Sequence, residues 1–287
     1  MTAVIGLLLS AGRPAGLRAQ AVDTLAVRFT QMTAVTGLEQ AMTDSLLLLL
    51  PGSARDRAGD VVVTLGRGSP RRLVACPLDE VGYVVGTVTP EGYLLLRRVG
   101  GGARVAYPVF DQLLEGHRVT VFGTRGAVPG VVAVKSVHLT RGRGSGAADP
   151  MFTVDNAFVD LGASSATEVR ALGIDVLAPV TLTKLAHVYG NRLLAGPVAG
   201  RRAACAALAA AVQAKPKVNG SVVVAFTVGT LYAADRRVGS LRGLLGPFDD
   251  VRVVGLKARY PDTAVETVAL TDAETLSQEL ASWMEGR

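Results

Sequence analysis

Leu73-Val74-Ala75-Cys76-Pro77-Leu78-Asp79-Glu80-Val81-Gly82-Tyr83-Val84-Val85 is the stretch on which the reading of this 287-residue chain turns. Apolar β-formers on both sides predict two strands, and Pro77 predicts the break between them, because proline gives a strand ladder no donor. The break is followed by two adjacent carboxylates, Asp79 and Glu80. Acids at the end of a core strand are where an α/β enzyme places metal or acid–base chemistry. They suit a turn with two solvated carboxylates as well, and spacing alone leaves both readings open.

Outward from this stretch the chain alternates between helical and extended patterns. Leu25, Val27, Phe29 and Met32, then Leu38, Met42, Leu46 and Leu49, are spaced for amphipathic helices, broken at Thr36-Gly37 and stopped at Pro51-Gly52. The run from Asp60 to Leu65 predicts a strand, and Gly66 to Pro70 predicts a turn into the central one. From Val84 to about Asn156 short β-runs alternate with glycine, as in Tyr93 to Arg97, Arg118 to Phe122 and Gly130 to Val134. Their spacing predicts a small closed or sandwich-like β module. Phe158-Val-Asp-Leu-Gly-Ala-Ser-Ser-Ala-Thr-Glu168 reads as strand, glycine turn and serine-capped helix, with Glu168 in the first turn. An alanine-rich helix to about Gln213, a strand from Ser221 to Val228, and a helix from Thr271 to Met284 with Leu276, Leu280 and Trp283 on one face complete the pattern.

With 49% hydrophobic residues the chain can bury a full core. Its +6 formal charge is carried mainly by arginines scattered among 24 acids, and aromatics are 5%. A nucleic-acid groove needs clustered cations with aromatics between them, so nucleic acid is not an expected partner. The cluster Arg141-Gly-Arg143-Gly-Ser-Gly146 reads as a solvated loop. No apolar run reaches the ~20 residues of a membrane span. Two cysteines, Cys76 and Cys205, are too few for a disulfide framework and lack metal-type spacing, so two buried thiols are expected. Residues 1–20 contain an apolar run, Ala3 to Ala11, then small residues from Gly16 to Ala21, without a basic start. The segment reads either as an export signal or as a flexible leader, which leaves the compartment cytoplasmic or exported.

Asp79-Glu80-Val81-Gly82 resembles the His-x-Asp-Glu-[Ile/Val]-Gly motif of the cocatalytic zinc aminopeptidases that assemble into tetrahedral shells, the glutamyl and deblocking aminopeptidase family. Asp160-x-Gly-Ala-x-Ser165, Val35-Thr-Gly-Leu-Glu-Gln40, Arg259-Tyr260 and the β module, with Lys135-Ser-Val-His138, add further echoes. The resemblance implies a three-layer αβα sandwich of zinc-peptidase type with an inserted small β-barrel. The α/β domain would be built from residues 21–83 and 160–287, and the insert from residues 84–159.

At the positions where the family holds its metals, this chain departs from the pattern. Pro77 stands for the first histidine ligand, Gly200 and Arg201 for an Asp-Asp pair, Thr230 and Leu231 for the two glutamates that supply general base and ligand, and Asp262 for the last histidine. A dinuclear site needs a bridging carboxylate, terminal ligands on each metal and a base for the metal-bound water. The resemblance therefore implies a homologue that has lost the ligands for zinc and needs no cofactor, acting as a structural, regulatory or peptide-binding protein. It would form a homo-oligomer or co-assemble with an active paralogue. The competing expectation is a hydrolase with a rebuilt site that uses Asp79, Glu80 and Asp262 with a single metal. Cys76 as a nucleophile is disfavoured by its apolar strand.

Overall fold

The computed structural model describes residues 21–100, 109–134 and 152–287. The segment 1–20, the loop at Arg141 to Gly146 and His138 lie outside the described residues. Helices α1 (Val22–Gln31) and α2 (Gln40–Leu49) are followed by strands β1 (Ala54–Arg55), β2 (Val61–Gly66), β3 (Arg71–Pro77), β4 (Gly82–Val88) and β5 (Leu94–Val99). Next come α3 (Val109–Gln112), β6 (Arg118–Gly123), β7 (Gly126–Ala133), β8 (Phe158–Asp160), α4 (Ala166–Ala171) and β9 (Pro179–Leu182). The chain continues with β10 (His187–Tyr189), β11 (Leu193–Ala195), α5 (Ala199–Gln213), β12 (Ser221–Thr227) and α6 (Thr230–Leu245). It closes with β13 (Asp250–Val253), β14 (Thr267–Ala269) and α7 (Leu270–Glu285).

The central sheet has the order β1-β2-β12-β3-β13. β12, β3 and β13 run parallel, and β2 joins β12 antiparallel. β12 is buried along its whole length, as a strand covered on both faces must be. Alternate residues divide between two cores. Val74, Cys76, Val222, Val224 and Phe226 pack with α1, α2, α5 and α7, whereas Leu73, Ala75, Val223 and Ala225 pack with Leu241 of α6. These faces make the three layers. α5 is buried almost all round because its alanines let it sit close to the sheet, α1 and α7.

A closed six-stranded barrel, β4-β5-β8-β7-β6-β9, is inserted between β3 and the later α/β elements. Its interior holds Tyr83, Val85, Leu94, Leu96, Val119, Val121, Val132, Val159 and Val180. The insert expected at 84–159 reaches further, because β9 pairs with both β4 and β6 and ends at Leu182. Without β9 the module would expose two unpaired edges, so residues 160–182 belong with the barrel. Ser165 caps α4, its side chain accepting from the Glu168 amide at 3.3 Å, as the sequence predicts. A separate three-stranded sheet, β10-β11-β14, lies beside the sandwich. Among the described residues no helix is long and apolar enough to cross a membrane.

Cys76 and Cys205 are joined in a disulfide between β3 and α5, with Cα atoms 5.5 Å apart. This corrects the expectation of two thiols. A separation of 129 residues gave the sequence no sign that strand and helix meet at these two positions.

Candidate functional site

The loops after the C-terminal ends of β3 and β12 meet at the edge of the central sheet, where ligands of open α/β sheets bind. Asp79, two residues past β3, is fully buried. Its Oδ2 accepts from Thr36 Oγ1 at 2.9 Å and from the Leu231 amide at 2.8 Å, while Oδ1 accepts from Thr230 Oγ1. Arg201 donates to the Asp79 carbonyl, and its Nη1 lies 3.7 Å from Oδ1. The first turn of α6 thus grips a carboxylate with an amide and a hydroxyl, at the two positions where the resemblance would place zinc chemistry.

Glu80 is 3% exposed and sits among cations. Lys184 donates to both carboxylate oxygens and, at 2.8 Å, to the Met32 carbonyl. Arg202 Nη2 lies 3.2 Å from Oε1 as an ion-pair contact without a hydrogen bond, and Oε1 accepts from the Ala34 amide at 2.8 Å. Burial would raise the Glu80 carboxyl, but Lys184, Arg202 and the Ala34 amide together hold it below its usual range. Burial pushes the Lys184 ammonium down to about 8, opposed by Glu80 and reinforced by Arg202. Arg202 is completely buried, donates to the Leu78 carbonyl, and has Nε without a hydrogen-bond partner. Glu80 and Lys184 also mark the two chain crossings between sandwich and barrel, two residues before β4 and two after β9.

The remaining positions lie nearby but do not converge. Gly200 is in the first turn of α5, and its amide donates to Glu266 Oε1 at 2.8 Å. A Cβ at 200 would come within 3.1 Å of Ala258 Cβ and of the Leu256 carbonyl, and within 3.2 Å of Glu266 Oε1, so a side chain here would have to push its neighbours aside. Glu266, 7% exposed, accepts from the Asp262 amide at 3.1 Å through its other oxygen. Burial raises its carboxyl pKa against those two amides. Asp262 is exposed, on a left-handed backbone with φ 58°. It shares the wall of a small cavity of about 40 Å³ with Glu80 and Lys184. Pro77 ends β3 opposite Thr227.

These residues do not fit a pair of zinc ions. Among the described residues no three His, Cys, Asp or Glu side chains gather as a metal-holding group. The carboxylates of Asp79 and Glu80 are taken up by protein donors, and three cations, Lys184, Arg201 and Arg202, surround them. Divalent ions would have to displace those donors and sit against like charge.

Lys184, Arg202, Thr36 and Glu266 were not singled out from the sequence as site residues. Arg202 carried one signal: a charge inside an alanine run that is apolar on every side has to meet a partner in the interior. Lys184 carried none, since it follows a short strand far from Glu80 in the chain.

The model of the M42 glutamyl aminopeptidase family matches residues 59–230, and the chain belongs to that family. It is 33% identical over 185 residues to SgcX of Escherichia coli (strain K12), which carries an aminopeptidase name; the match covers 62% of this chain and 47% of that one. The chain spans about half the length of the curated relatives it matches, with shares of 47%, 56% and 38%. In fold it is similar to aminopeptidase APDkam598 from the archaeon Desulfurococcus kamchatkensis, with a TM-score of 0.77 at 18% identity over 93% of this chain and 95% of that one. The TET1 peptidase of Pyrococcus horikoshii, described as assembling into a tetrahedron or a large octahedral shell, gives a TM-score of 0.72 at 20% identity over 92% and 99% of the two chains.

Proposed function

We propose that this chain is a non-catalytic homologue of the dinuclear zinc aminopeptidases, acting as a structural, regulatory or peptide-binding protein. The observation that carries the reading is the charge exchange at the sheet edge. Where the family resemblance calls for an aspartate pair, Gly200 and Arg201 stand instead, with Arg201 beside Asp79, and Glu80 is taken up by Lys184 and Arg202. Pro77, Gly200, Thr230 and Leu231 offer no ligand side chain fit to replace the missing ones. Assembly with copies of itself or with an active paralogue is part of this reading, supported by the shells described for the Pyrococcus horikoshii relative.

Metal analysis of the purified protein, with aminopeptidase assays in added zinc or cobalt, tests it. The expected result is substoichiometric metal and no turnover above background. The second reading, a rebuilt single-metal site, rests on Glu80 and Asp262 lining one small cavity. Stoichiometric metal with turnover abolished by Asp262→Ala would establish it instead.

A further inference from the structure

Of the three cations at the sheet edge, Arg201 is the one with substantial exposure, and it lines a cleft larger than the small cavity beside Lys184. Its side chain is 32% exposed, against 4% for Lys184 and none for Arg202. The cleft holds about 310 Å³, and its walls include Pro77, Leu256, Ala258, Pro261 and Glu266. Arg201 uses Nη1 on the Asp79 carbonyl; among the described residues Nε and Nη2 have no hydrogen-bond partner. These two nitrogens form the edge of a guanidinium that takes a carboxylate in two parallel hydrogen bonds.

Resting on the reading that no metal pair occupies this place, we propose that the Arg201 cleft binds the free carboxylate of an acylated amino acid with an aliphatic side chain, as found at a peptide's C-terminus. Proline, valine, leucine and alanine on the walls suit an aliphatic body, and one guanidinium suits one negative charge. Glu266 is the acid on the cleft wall, and both its oxygens already accept from backbone amides, those of Gly200 and Asp262. Its nearby charge restricts the cleft to a monoanion and disfavours phosphate dianions. The pocket has thereby changed the sign of what it accepts, from a cation among carboxylates to a carboxylate against a cation.

Calorimetric titration of the full chain with N-acetyl-leucine and with N-acetyl-Ala-Ala-Leu, each beside its C-terminal amide, tests this. Saturable binding of the acids, at least tenfold tighter than of the amides, is expected. The tripeptide binding better than the single residue identifies a peptide end as the source; the reverse identifies a free acylated amino acid. Arg201→Gln should abolish the preference for acid over amide, and Arg201→Lys should restore part of it. If Arg201→Gln does not fold, Ala258→Leu narrows the cleft without touching the guanidinium and should weaken the acids tenfold or more. Equal affinity for acid and amide, no saturation at millimolar concentrations, or unchanged affinity in the Arg201→Gln or Ala258→Leu variant would each overturn the proposal. Metal-dependent peptidase turnover in the same preparation would sink the reading of the site itself, whereas an inactive protein that ignores both acids would sink only the cleft.

Discussion

Asp111 in the barrel and Glu80 at the sheet edge are both buried carboxylates, and their surroundings are balanced in opposite ways. Asp111 is fully buried and accepts a fork from Arg98, with Nε at 2.9 and 3.0 Å and Nη2 at 2.7 Å. Tyr83 Oη at 3.1 Å and the Val154 amide at 2.9 Å complete it. One carboxylate meets one cation there, and the cation keeps contact with water. Around Glu80 and Asp79 two carboxylates meet Lys184, Arg201 and Arg202, two of which are sealed from solvent. A balanced pair pins a loop to a barrel, whereas at the sheet edge two buried cations, with the partly exposed Arg201 beside them, offset two buried carboxylates. The difference teaches that the sheet edge is held together by protein charges.

The sharpest break is Glu80→Ala, which leaves Lys184 and Arg202 buried without their carboxylate. A loss of about 5 kcal/mol is expected in denaturant unfolding, the upper end for stripping one partner from a buried pair. The pH dependence has a defined sign. Because the folded carboxyl is held below its ordinary 4.5, the unfolded chain binds this proton first as pH falls. The stabilisation is therefore complete above pH 4.5 and disappears as pH drops through the folded value. Unfolding of the wild type and Glu80→Gln between pH 6 and 3 should show this extra loss only in the wild type; parallel curves would refute it.

Asp111→Ala should come next, at about 3 kcal/mol, because Arg98 can turn toward water when its partner is removed. An effect larger than that of Glu80→Ala would reverse the comparison. Replacing Cys76 and Cys205 by alanine removes the covalent tie that seats the middle of α5, one turn beyond Arg201 and Arg202, against β3. A loss of about 2–4 kcal/mol is expected, matched by a lower melting temperature of the native protein in reductant. Free thiols in the native, unreduced protein would contradict the pairing. The smallest effect concerns metal: on the proposed reading that no divalent ion links these elements, an excess of chelator should leave the melting temperature unchanged. A fall of several degrees that zinc reverses would return the site to its relatives' chemistry.

Much of the fold was legible in the sequence because the forces involved are local. Pro77 ends β3, Ser165 caps α4, and the glycine-punctuated runs became barrel strands. The helix over 230–245 is not legible in the sequence, because Gly239 and Gly243 interrupt its helical pattern. The far boundary of the barrel is not legible either, because Pro179 to Leu182 is a strand only through its two neighbours. Of the site, Asp79, Glu80, Gly200, Arg201 and Asp262 could be named from motif positions. What they touch could not.

By itself, the sequence determined an α/β chain with an inserted β module, a family motif around Asp79 and Glu80, and the side chains that stand at the positions of the missing ligands. These follow from periodicity, turn chemistry and spacing, which act over a few residues. Only the tertiary structure decided that Cys76 meets Cys205, that Lys184 and Arg202 close on Glu80, and that Arg201 lines a cleft. Burial turns charges far apart in the chain into partners, and no local pattern encodes which of them will meet.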